Sequence, residues 1–432
     1  MVGEVGVGSG DGRPKARVAV VLSGAVARGA FQAGAMATVL GTIKHELDLE
    51  PSILIGTSAG AINAVLWADA ARRLGPAADP ALIAEELHRT WVSLNAERVY
   101  QAPLSWQPEA MWHSVRRMGW PAVQGFLFGG PGVPSLLDTT PLHATAEQIL
   151  PESLRLADGL DAVGVVATWI PPGQTDGAAS GRSTLFLQER TPSRWNGSPE
   201  RALDVERCAI RPAHVLASSA LPGGFPAENV PGSGAGWYGD GGVGLNTPLL
   251  PAIELEATHI VVISAISLRY PGRVPGVARP SVVDGASQVM HAVDADRAVE
   301  DVLALQSRNR LVRQTDGQVH LVNHRGRRYT EIPAIVVAPP PGKLRQLADQ
   351  CWHRKYASLA ALLALKNNAV MGRLLRAGGD GPGWQELLSY ALFDEDYFRA
   401  SYHAGVTAAR VALARVPRSD ATWPWQAEDL LN

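Results

Sequence analysis

Ser58 stands in Gly56-Thr57-Ser58-Ala59-Gly60, between the apolar run "SILI" and the alanine-rich "INAVLWADAARRL". A strand that turns sharply into a helix needs small residues at the bend, and a serine there projects its oxygen from the strand's carboxyl end. At that point the unpaired N–H groups and the positive end of the helix dipole favour the negative charge that develops in acyl transfer. The same pattern also describes a plain tight turn with Ser58 as helix N-cap. Placement favours the nucleophile reading, because a strand-like run precedes the serine and a helical run follows it.

A nucleophilic serine needs a base to take its proton. In the common α/β-hydrolase order several strands come before the elbow, with the acid and the histidine after it. Here a single strand–helix unit precedes Ser58, too early for that order. None of the eleven histidines stands in a setting that marks it as the base. His403 in "SYHAGV", and His320 and His324 beside a turn, read as surface or packing residues. A carboxylate offers itself instead, Asp240 in the glycine-rich loop "GWYGDGGVGLNTPL". Asp-Gly-Gly by itself commonly marks only a turn. A carboxylate can nevertheless serve as general base to a serine if it is close and desolvated enough to raise its proton affinity.

These residues must be held by a frame, and the frame is written in alternating runs. "RVAVVLSG" (17–24) followed by "ARGAFQAGAMATVLGTIKHEL" reads as strand then helix, and the Ser58 region repeats the plan. Further apolar runs stand at 162–170, 183–189, 259–266 and 334–340. Near-continuous Val/Ile runs suit strands buried on both faces, hence a mainly parallel central sheet covered by helices. Residues 91–130 differ in texture, with Trp91, Tyr100, Trp106, Trp112, Trp120, Phe126 and Phe128 among Pro, Gly and Arg. That stretch reads either as the packing of an irregular insertion or as an apolar mouth over a pocket. Residues 343–416 carry a second helical region with no clean linker before it.

Composition narrows the function classes. With 39 Lys+Arg against 41 Asp+Glu, the formal charge of −2 supplies no electrostatic attraction for nucleic acid. Cys208 and Cys351 lack zinc-ligand spacing and form at most one disulfide, so a reducing, cytoplasmic setting is expected. The first sixteen residues are glycine-rich and lack the basic start and apolar run of a cleavable signal, and no run reads as a membrane span. Gly24, Gly29 and Gly34 lie between a strand and a helix, but without the Gly-x-Gly-x-x-Gly spacing that cradles a dinucleotide.

Three separated signals in one order resemble the patatin-like phospholipase family, acyl hydrolases with a Ser-Asp dyad. "LSGAVARGAFQAG" resembles its oxyanion loop, "GTSAG" its nucleophile elbow and "DGG" its dyad-aspartate motif. "SLLDTTPL", "HVLASSALPGGFP" and the late "LSYALFDEDYFRASYHAGV" look similar as well. The likeness spans residues 17–265, with an echo at 388–406. It implies a three-layer α/β fold with a mainly parallel central sheet and a helical C-terminal region. The expected layout is a flexible tail over 1–16, a catalytic domain over 17–342 with the Trp-rich insertion, helices over 343–416 packed on the core, and a tail over 417–432.

The resemblance further implies Ser58 as nucleophile, Asp240 as its base, and a substrate-binding oxyanion loop formed by Gly24, Ala25, Val26, Arg28 and Gly29. Backbone N–H groups of Ala25 and Val26 are the expected oxyanion donors. Where the family pattern has consecutive glycines, this chain has Ala25 and Val26, and a β-branched residue resists positive φ. A lost donor would cost about a hundredfold in rate. Arg28 is expected to steady the loop or an anionic substrate group; otherwise it reads as a solvent-exposed arginine. No metal or organic cofactor is implied. The expected substrate is a phospholipid, lysophospholipid or other acyl ester, met in solution or through transient contact with a membrane surface. An acyltransferase using the same acyl-enzyme, and a catalytically weak lipid-binding effector, are the alternatives.

Overall fold

The Val/Ile runs become the inner strands of one large sheet, because strands without a polar alternation can be buried on both sides only under two layers of helix. The computed structural model describes residues 16–100, 135, 137–171, 182–269, 279–292, 297–315, 322, 326, 328–364 and 366–431. Residues 1–15, most of the Trp-rich stretch from 101 onward, His320 and His324 lie outside the described residues. Strand β1 (Val18–Leu22) leads through a 3-10 turn at Val26–Arg28 into α1 (Gly29–Leu47), β2 (Pro51–Thr57), α2 (Ala59–Leu74) and α3 (Pro80–Ser93). The remaining strands are β3 (Ala162–Ile170), β4 (Ser183–Glu189), β5 (Gly197–Ser198), β6 (Leu203–Arg207), β7 (Glu228–Val230), β8 (Gly236–Asp240), β9 (His259–Ile263) and β10 (Ala334–Val337).

Their order is β10-β9-β1-β2-β3-β4-β6-β5, with β8 pairing both β3 and β7. The run from β10 to β3 is parallel throughout, and β4 and β8 meet β3 antiparallel. Val18, Val20 and Leu22 face one hydrophobic core with α1, α2 and the C-terminal helices, while Ala19 and Val21 face the other with the helices around Leu249 and Val302. The molecule is thus a mixed α/β, mostly parallel sheet between two helical layers. Both apolar runs predicted for the far edge end earlier than their hydrophobicity does: β10 stops at Val337, before Pro339–Pro341, which lack the donors a ladder needs.

The C-terminal helices lie directly on α1. A Cβ on Gly34 would sit 2.0 Å from the Tyr402 carbonyl oxygen, and one on Gly405 would sit 2.0 Å from that of Phe31. Glycines at both positions let α1 and the Glu395–Leu413 helix touch backbone to backbone. Gly34, weighed above as a nucleotide-loop glycine, is therefore a packing residue. Beyond that helix the chain returns to the sheet edge, where Gln426 exchanges backbone hydrogen bonds with Ala334 and Leu430 is fully buried. Among the described residues no helix is long and apolar enough to cross a membrane.

The elbow glycines are dictated by the same close approach. A Cβ on Gly60 would lie 2.5 Å from the Leu22 carbonyl oxygen and 2.6 Å from that of Ser23, so α2 can start against the end of β1 only without a side chain there. Gly60→Ala is expected to destabilise the protein by about 1–3 kcal/mol, read as a fall in the urea midpoint with unchanged m-value. A neutral result would mean that the first turn of α2 does not sit where these contacts put it.

Candidate active site

Strand register explains how two residues remote in sequence come together. Thr57 of β2 pairs with Val166 of β3, and Asp240 of β8 pairs with the next residue, Ala167. Because β2 runs parallel to β3 and β8 antiparallel, their carboxyl ends converge head to head on one point. One more residue of β2 in register would occupy the place of Asp240, so the chain must leave the sheet at Ser58. It does so with φ 54° and ψ −126°, a conformation that costs about 1–3 kcal/mol for a residue with a side chain. The surroundings hold it there. The Ser58 N–H donates to Ser218 Oγ at 2.8 Å, its carbonyl accepts from Ala61 and Ile62, and Thr57 Oγ1 donates to the Leu245 carbonyl at 2.9 Å.

Asp240 is the last residue of β8, which corrects its reading as a loop residue. Its side chain is buried, lies close enough to the Ser58 hydroxyl for that group to lower its proton affinity, and accepts the Gly242 N–H on Oδ1 at 2.6 Å. Burial pushes the carboxyl up to about 6, against the opposing pull of the Ser58 hydroxyl and the Gly242 N–H. The two glycines that follow are steric requirements, since a Cβ on Gly241 would lie 2.2 Å from the Val166 carbonyl oxygen and one on Gly242 would lie 2.9 Å from Asp240 Oδ1. Among the described residues no histidine hydrogen-bonds to Ser58 or Asp240. Nor is any group of three or more His, Cys, Asp or Glu placed there to hold a metal ion.

The loop after β1 has its donors sorted by contact. Gly24 N–H is taken by Asn246, through the side-chain oxygen at 2.8 Å and the main-chain oxygen at 3.2 Å. Arg28 N–H closes on the Ala25 carbonyl and Gly29 N–H on that of Val26. The N–H groups of Ala25 and Val26 have no acceptor among the described residues. Val26 adopts φ 46°, the left-handed value that its branched side chain resists, so the loop keeps a backbone shape suited to glycine in spite of its sequence. Gly29 has no room for a side chain, because a Cβ there would lie 2.1 Å from the ring of Trp91.

Arg28 is buried and turns away from Ser58 into the C-terminal helices, which corrects its reading as a solvent-exposed arginine. Its guanidinium pairs with Glu386, donates from Nε to Ser389 Oγ at 3.0 Å and lies 3.8 Å above the Tyr390 ring. Burial disfavours its charge, yet Tyr390 and Glu386 outweigh that and hold it above its ordinary value. Under the loop runs a second buried network unread in the sequence. Trp91 Nε1 donates to Asn63 Oδ1 at 2.8 Å, Asn63 Nδ2 to Gln32 Oε1 at 3.0 Å, and Gln32 Nε2 to the Ser23 carbonyl at 2.8 Å. Its only sequence signal is that Gln32 and Asn63 interrupt otherwise apolar helices. Asn246 and Ser218, which grip the loop and the elbow, sit inside the quoted motifs but gave no sign of those roles.

Ser58 and Val26 open on a cavity of about 50 Å³ walled by Ile62, Leu94, Leu142, Leu216, Phe225 and Phe393. A serine beside a buried carboxylate, two amide donors without an acceptor among the described residues on the adjoining loop, and an apolar wall are the parts an acyl transfer needs.

Residues 20–253 match the model of the patatin-like phospholipase family, more than half of the chain. The chain belongs to the patatin-like phospholipase family. No curated protein matches the chain. Among solved structures it is similar to VipD from Legionella pneumophila, with 13% identity and a TM-score of 0.28, over 75% of this chain and 61% of that one. This chain therefore spans about three-fifths of the length of VipD, at a likeness too distant to bear on its chemistry. The family match ends at residue 253, so the Glu386 that grips Arg28 lies outside it.

Proposed function

We propose that this patatin-like protein hydrolyses lipid acyl esters through a covalent intermediate on Ser58. The Ser58 hydroxyl gives its proton to Asp240 as its oxygen attacks the ester carbonyl, and the N–H groups of Ala25 and Val26 hold the oxyanion. Collapse expels the alcohol, which takes the proton from Asp240. Asp240 then takes a proton from water, the hydroxide attacks the acyl-enzyme, and the fatty acid leaves as Ser58 recovers its hydrogen. What supports this reading is that strand register brings Ser58 beside the Asp240 carboxyl, whose proton affinity burial raises. Residues 17–342 would form the catalytic unit and the helices over 343–416 its buttress, through the Arg28–Glu386 pair. The substrate would be a phospholipid, lysophospholipid or neutral acyl ester, met by transient contact with a lipid surface.

A fluorophosphonate probe and esters of short and long chain, with and without acceptor alcohols, test the proposal. Wild type is expected to be labelled and to release fatty acid, and Ser58→Ala to do neither. Acyl transfer to the acceptor in place of water would make the protein a transferase. Absence of both labelling and turnover would make it a lipid-binding effector.

Val26→Gly is expected to keep or raise turnover, because glycine adopts φ 46° without strain and leaves the Val26 donor in place. A hundredfold fall in kcat would show that the valine side chain itself shapes the oxyanion site.

A further inference from the structure

A second cavity, of about 410 Å³, opens at the carboxyl edge of the sheet beside the ends of β9 and β10, and it shares no lining residue with the Ser58 cavity. Its walls are the segment after β9 with Leu268, the segment after β10 with Pro340 and Leu347, and one stripe of the Glu395–Leu413 helix with Ala404 and Val411. Positions 400, 404, 408 and 411 share that face of the helix, and Val411 is left 60% exposed. The volume falls in the range of small-ligand sites, and the outer ends of parallel strands are where α/β sheets bind ligands.

Charge gives the groove its character. Arg269, Lys343, His403 and Arg415 line it, and no aspartate or glutamate does. Elsewhere on this surface arginines meet carboxylates, as Arg73 meets Asp69 and Glu86, Arg313 meets Glu331 and Arg418 meets Glu46. Arg269, Lys343 and Arg415 have no acidic partner among the described residues. Arg269 donates to the Leu431 carbonyl at 3.0 Å and Arg415 to that of Leu430 at 3.3 Å, so adjacent carbonyls hold two guanidiniums side by side. Burial, and then the charge of Arg269, press Arg415 below its ordinary value.

We propose that this groove binds one long-chain fatty acid as its carboxylate, with the head between Arg269 and Arg415 and the chain along Leu268, Leu347, Ala404 and Val411. A bare inorganic anion would leave the apolar walls unused, and an uncharged lipid would leave the cation pair uncompensated. The inference goes beyond the hydrolase reading and does not depend on Ser58 being a nucleophile.

Calorimetric titration of the Ser58→Ala protein with monomeric dodecanoate and tetradecanoate tests it without turnover. One dodecanoate per chain is expected, with tetradecanoate binding about tenfold tighter for its two extra methylenes. Arg269→Gln with Arg415→Gln should weaken dodecanoate at least tenfold. Ala404→Trp, which fills the groove and leaves the cations, should abolish binding, and melting curves of all variants report whether they fold. Dodecan-1-ol should bind at least tenfold more weakly than dodecanoate. Binding unmoved by both the double variant and Ala404→Trp, or equal binding of the alcohol, would overturn the proposal. So would tenfold tighter binding of dodecyl phosphate, or binding to anionic vesicles with none to monomeric dodecanoate.

Discussion

Ser58→Ala and Asp240→Asn are each expected to lower ester hydrolysis by about 10⁴-fold or more, measured as kcat/KM on a soluble acyl ester. The two groups act as one proton-transfer unit, so the double variant should be no slower than Ser58→Ala alone. Removing the hydroxyl removes the atom to be acylated. Removing the charge leaves the shape, since asparagine can still accept the Gly242 N–H that Asp240 Oδ1 accepts. Only the proton acceptor is lost. Hydrolysis by Asp240→Asn within tenfold of wild type would take Asp240 out of the reaction, and probe labelling of Ser58→Ala would take Ser58 out of it. KM should stay within a few-fold in Asp240→Asn, because the cavity walls do not include Asp240.

Acid should silence hydrolysis through the same carboxyl. A base must be ionised to accept a proton, and burial places this one at about 6. Below that value kcat/KM should fall tenfold per pH unit, giving about a hundredfold loss at pH 4. Stability should move the opposite way. A carboxyl that holds its proton more tightly when folded stabilises the native state fully below its unfolded value of 3.8, and that stabilisation is lost as pH rises through about 6. The interval corresponds to about 3 kcal/mol. Asp240→Asn, inactive at every pH, should therefore unfold at higher urea than wild type at pH 8, with the difference vanishing near pH 4. Equal midpoints at both pH values, with an acid limb near 4 in the wild-type rate, would show that Asp240 is well solvated and that the base lies elsewhere.

These two predictions are linked by a conflict typical of functional sites. The elbow twists a serine into a strained conformation, β8 buries a charge, and Val26 holds a left-handed turn. Each feature is unfavourable locally, and all three converge on one cavity or its floor. The close glycine contacts around Gly56, Gly60 and Gly241 over-determine that arrangement, so the strain persists.

Much of this frame was legible in the chain. The unbroken Val/Ile runs could be satisfied only between two helical layers, which led to a mainly parallel sheet. The Gly-x-Ser-x-Gly bend put Ser58 at a strand's carboxyl end, because spacing along one chain controls what happens at a turn. Asp240 was reachable only as a motif, for Asp-Gly-Gly carries no local mark distinguishing a buried base from an ordinary turn. Its glycine-rich surroundings read as a loop, and its strand owes its existence to pairing with β3 and β7. The direction taken by Arg28 depended on Glu386, Ser389 and Tyr390, brought to it from the far end of the chain by the packing of α1 on the last helix. Local sequence determines bends, helix faces and buried runs, because those follow from neighbours a few residues apart. Which carboxylate meets which hydroxyl, and which amides stay unpaired, was decided by strand register and helix packing, contacts whose energy comes from residues hundreds of positions away.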